Sequence, residues 1–141
     1  ALSAEADLSS ASLQEAIQII EDTEDEKGLN VALRPRLLVC TTSNQWAGAE
    51  LLQSIYKPGT ADNEINALQG KGLDYCVNHY LTDSDSWFLL ADEHKINFYW
   101  RQQLEFFKGN DFDTQDAKFQ ADMRFSVGFS DFRGVAGSSG A

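Results

Sequence analysis

Residues 87–134 read WFLLADEHKINFYWRQQLEFFKGNDFDTQDAKFQADMRFSVGFSDFRG, and two alternating runs inside them decide the fold class. In the second run Phe119, Ala121, Met123, Phe125, Val127 and Phe129 share one phase, while Lys118, Gln120, Asp122, Arg124 and Ser126 share the other. Side chains of a strand point alternately to opposite faces, so this period of two predicts a long half-buried strand rather than a helix. In the first run Ile96, Phe98 and Trp100 alternate in the same way with Asn97, Tyr99 and Arg101. Between the runs, 110–116 is dense in Asp, Asn and Thr and predicts a turn. Trp87-Phe88-Leu89-Leu90 is apolar throughout, as expected of a buried strand, and 92–95 is a second turn. The long strand is expected to end the fold, leaving 137–141 as a flexible tail of small residues.

Upstream, Leu73, Tyr75, Val77, His79 and Leu81 alternate with Asp74, Cys76, Asn78 and Tyr80, which predicts a strand with both faces partly covered. The short apolar run Leu37-Leu38-Val39-Cys40 follows Arg34-Pro35-Arg36 and suits a central strand. Two helices are expected. The first starts within 9–12, where Ser12-x-x-Glu15 has capping-box form, and Leu13, Ala16, Ile17 and Ile20 then recur at i, i+3, i+4 and i+7. It ends within 20–22, because the acids that follow oppose the helix dipole. The second covers about 44–56, with Thr41, Thr42 and Ser43 as candidate caps. Gly48 inside it costs about 1 kcal/mol relative to Ala, which predicts close packing there.

Residues 1–8 are expected to fray, and 57–72 read as a long surface loop, of the length that is usually functional or disordered. Gly70-Lys71-Gly72 lacks the spacing of a phosphate loop and predicts a turn. No internal repeat or domain boundary is visible. The expected architecture is a single α+β domain over 1–141, a mixed sheet flanked by helices and ending in a long β-strand.

With 141 residues, 43% hydrophobic and 11% aromatic, the chain can bury a core without disulfide or metal staples. No apolar run approaches the roughly 18–20 residues of a membrane-spanning helix, and no basic start precedes an apolar stretch as in a secretory signal. Cys40 and Cys76 lack metal-ligand spacing and read as buried free thiols, which fits assembly in a reducing compartment. The net charge of −11 is concentrated early: residues 1–30 hold eight acids and one base. With no basic stripe, groove-directed or sequence-specific nucleic-acid binding is not expected. The run Glu21-Asp22-Thr23-Glu24-Asp25-Glu26 reads as a solvated turn.

No catalytic, cofactor-binding or metal-ligating residue is nominated. His79 shares a phase with apolar residues and reads as a hydrogen-bonded structural histidine; His94 lies among charged turn residues and reads as solvated. Neither accompanies a nucleophile motif. Asp111 to Asp116 superficially suggests a calcium loop, but the sixth and twelfth positions hold Asp116 and Asp122 where Gly and Glu are required. A hairpin turn accounts for it better. Trp46, Trp87 and Trp100 are each expected in the core.

Four pieces, in order, carry a family resemblance: Ala32-Leu33-Arg34-Pro35-Arg36-Leu37-Leu38-Val39, Trp87-Phe88-Leu89-Leu90-Ala91-Asp92, Phe112-Asp113-Thr114 and Asp131-Phe132-Arg133-Gly134. Together, across about 8–136, the chain resembles the major capsid proteins of tailed phages, the Mu-like major head subunit family in particular. It departs from the pattern at Cys40-Thr41-Thr42, where relatives tend to have prolines. The resemblance implies a non-enzymatic shell protein without cofactors, matching the C-terminal half of the family and covering its axial domain and final return strand. The family's arm, extended loop and spine helix have no expected counterpart. It also implies copies of itself as partners in pentamers and hexamers, with scaffold, portal or decoration proteins as further candidates and no membrane. The implied location is the virion capsid enclosing DNA, assembled in the bacterial host cytoplasm. The alternatives are a cellular nanocompartment shell, a small acidic α/β binding domain or hydrolase, and an adaptor that binds a basic partner through Glu21–Glu26. For the loop at 57–72, a position toward the capsomer axis or another subunit is expected.

Overall fold

A computed structural model describes residues 6–57 and 64–140, which form two compact units. The first comprises residues up to His94 together with Phe132 onward; the second is Lys95–Asp131. No composition shift marks the change at 94/95, because the turn 92–95 reads like any other link between strands.

The first unit is a four-stranded mixed sheet with two helices. Its strands are β1 (Pro35–Cys40), β2 (Asp74–Val77), β3 (Trp87–Ala91) and, from the end of the chain, β6 (Val135–Ser138). Their order is β2-β1-β3-β6; β1 pairs parallel with β2, and the other neighbours are antiparallel. The central position expected for β1 is met. The fold does not end in a long strand, however. It ends in four-residue β6, and the glycine- and serine-rich stretch expected to be a flexible tail supplies part of it. A glycine is what lets this edge pair: a Cβ on Gly137 would lie 2.5 Å from Phe88 Cδ1 and 2.9 Å from the Trp87 carbonyl oxygen.

Helix α1 (Ser10–Glu21) buries Leu13, Ala16, Ile17 and Ile20, as its periodicity predicts. Its capping box is one turn earlier than expected. Ser9 is extended and caps the helix, so Ser12 falls at the third helical position. The Ser12 backbone N–H donates to Ser9 Oγ at 3.2 Å and the Ser9 N–H to Ser12 Oγ at 2.9 Å, a hydroxyl doing what a carboxylate was expected to do. Helix α2 (Gln45–Gln53) is shorter than the expected 44–56, and none of Thr41, Thr42 and Ser43 caps it; Asn44 stands at the cap without a side-chain capping bond, its amide donating instead to the Asp85 carbonyl at 3.2 Å. Thr41 instead donates to the Ser84 carbonyl. Gly48 is buried, but a Cβ there would meet Cys40 Sγ, Tyr75 and Leu38 at 3.7–3.9 Å, ordinary contact distances.

The core joins α1 to Leu38 and Cys40 of β1, Trp87, Leu89 and Ala91 of β3, and Ala136 of β6. Full burial of a side chain such as Leu38 or Leu89 contributes about 1.5–3 kcal/mol. Expected to be apolar on both faces, β3 is covered on one: Phe88 is exposed while Trp87, Leu89 and Ala91 are buried. Residues 6–8 do not fray. The Trp87 indole N–H donates to the Ala6 carbonyl at 3.0 Å and the Ala6 N–H to Ser138 Oγ at 2.9 Å, tying the chain start to β3 and β6. Residues 1–5 and 141 lie outside the described residues.

The second unit is one long hairpin, β4 (Ile96–Asn110) with β5 (Ala117–Phe129). The expected turn closes it: the Asp111 N–H donates to the Asp116 carbonyl at 2.9 Å and the Gln115 N–H to Asp111 O at 3.0 Å.

Candidate assembly surface

The hairpin sorts its side chains by register. Ile96, Phe98 and Trp100 lie opposite Phe129, Val127 and Phe125. Two irregularities follow, between Trp100 and Gln102 and between Gln102 and Glu105. One slip of a residue sends every later side chain to the other face; two restore the phase. Beyond them Phe106 again opposes Ala121, and Lys108 opposes Phe119, on the apolar side. Gln102, Glu105 and Phe107 oppose Arg124, Asp122 and Gln120 on the other, largely polar face.

This apolar face is built but uncovered. Trp100 and Phe125 are each 51% exposed, Phe106 78% and Phe129 77%. The half-burial expected from the alternation is therefore absent, because the hairpin has no third strand and no helix of its own unit to pack against. Its aromatic rings touch each other instead. Phe98 stacks on Phe125 with centroids 5.2 Å apart and meets Trp100 edge-on at 5.0 Å, and Lys108 sits over the Phe119 ring at 5.7 Å. An isolated two-stranded hairpin is marginally stable in water, and a contiguous exposed apolar face marks an interaction surface.

At the tip, Lys118 donates to the Asp111 carboxylate, and the Asp113 backbone N–H donates to it too. These bonds, Lys118 first, hold the Asp111 carboxyl below its ordinary pKa. A depressed carboxyl stabilises the closed turn above the usual carboxylate range, and that contribution is lost as pH falls through the depressed value.

The other sequence candidates disperse. His79 is exposed beyond the end of β2, not the structural histidine expected, since β2 stops at Val77. His94 is half-buried rather than solvated, with Nδ1 buried and without a hydrogen-bond partner. Trp87 is in the core as expected, whereas Trp46 is 73% exposed and Trp100 faces out from the hairpin. Cys40 is buried, and burial, with nearby Cys76 adding, pushes its thiol up. Cys76 is exposed, contrary to expectation, because β2 is an edge strand that turns this residue outward. The acidic run forms the expected exposed turn, bridged at Glu24 and Asn30, with Glu21 paired to Lys71 at 3.2 Å. Of the loop 57–72, residues 58–63 lie outside the described residues. Its flanks are ordered by the Tyr56–Ile65 bridge and by Asn66, whose side-chain N–H groups donate to the Leu51 and Ser54 carbonyls.

Among the described residues no group of three or more His, Cys, Asp or Glu is placed to hold a metal, and no helix is long and apolar enough to cross a membrane. An open depression of about 350 Å³ is lined by Ser10, Ala47, Glu50, Leu51 and Lys57 among others. Residues missed as surface by sequence reasoning, Phe106 above all, carry one signal that could have found them. The two expected helices offer apolar stripe enough for one short sheet, and the two long alternating runs, expected as part of that single mixed sheet, exceed what those helices can cover.

Compared with known protein families, residues 1–138 match the family described as phage capsid protein. No curated protein matches the chain.

Proposed function

The chain belongs to the phage capsid protein family, a structural component of the virion, and from that membership we propose that it is a subunit of the Mu-like major head type that builds an icosahedral shell around DNA. The first unit serves as the axial wedge of pentamers and hexamers, and the hairpin is the element through which neighbouring copies are joined. Both units belong to one protomer, which is assembled in the host cytoplasm.

The observation that carries this reading is the uncovered aromatic face of Ile96–Asn110 and Ala117–Phe129. Such a face gains by being covered, and a shell offers neighbouring copies to cover it. Negative-stain electron microscopy of the purified chain at high concentration tests the proposal. Rings, sheets or closed shells are expected; small uniform particles at every concentration would count against it.

A further inference from the structure

We draw no further inference here: the strongest candidate, the exposed aromatic face of the hairpin at Phe98, Trp100, Phe106, Phe119, Phe125 and Phe129, carries nothing beyond the proposed function because nothing in the structure shows what covers it.

Discussion

The β3 strand and the β5 strand are both rich in apolar residues, yet they end in opposite surroundings. In β3, Trp87 and Leu89 are fully buried under α1; in β5, Phe125 and Phe129 stand half or more exposed. The difference is not in the strands but in the number of layers. The four-stranded sheet has a helix whose apolar stripe matches its inner face, and the hairpin has only its own two strands. Alternation reports that a face is fit for burial; whether the cover comes from the same molecule is a separate matter. In this chain the first sheet is covered from within its own unit, and the second carries the face that the proposed function assigns to contacts between copies.

The largest effect should come from exchanging the two tryptophans' fates. Trp87→Ala is expected to cost about 3–5 kcal/mol, enough to unfold a domain of ordinary stability, as read by chemical denaturation. Trp100→Ala in the dispersed chain should cost no more than about 1 kcal/mol, the scale of a cross-strand pair, and should lower assembly instead. Equal costs would erase the distinction between the two regions.

Next in size is Gly137→Ala. Its Cβ would enter the space of Phe88 and the Trp87 carbonyl, so a loss of about 1–3 kcal/mol is expected in thermal unfolding. A neutral result would mean that β6 contributes little to the sheet.

Much of the first unit was legible in the sequence, and the reasons are local. Leu13, Ala16, Ile17 and Ile20 mark a helix face at one period, and Leu37 to Cys40 mark a strand by their apolar run. What escaped was decided by distant partners. Gly137 and Ser138 look like a tail because only their pairing with Trp87 and Phe88 makes them a strand. Cys76 looks buried because its strand is apolar in one phase, but edge position exposes the other. The turn, the phase of β5 and the phase of β4 as far as Arg101 were readable; the two irregularities between Trp100 and Glu105 that return Phe106 to the apolar side were not. The exposure of Trp100 was not, since a sequence pattern names a face and not what lies against it.

Smaller effects sharpen the comparison from inside the first unit. Gly48→Ala should stabilise by up to about 1 kcal/mol, because the helix gains propensity and the new methyl meets Cys40, Tyr75 and Leu38 at ordinary distance. A drop in melting temperature would show tighter packing at α2 than these distances imply. Finally, a thiol reagent under native conditions should label Cys76 promptly and leave buried Cys40, whose pKa is raised, unreacted until the chain unfolds. Equal labelling rates would contradict the burial of β1.

The most direct test of the central claim is hydrogen exchange followed by mass spectrometry at low and at high protein concentration. Amides of β1 and β3 should be protected at both, since their cover lies within one chain. Those of β4 and β5 should exchange rapidly when the chain is dispersed and become protected as concentration rises. Hairpin protection that is the same at both concentrations would contradict the assignment of this face to association between copies.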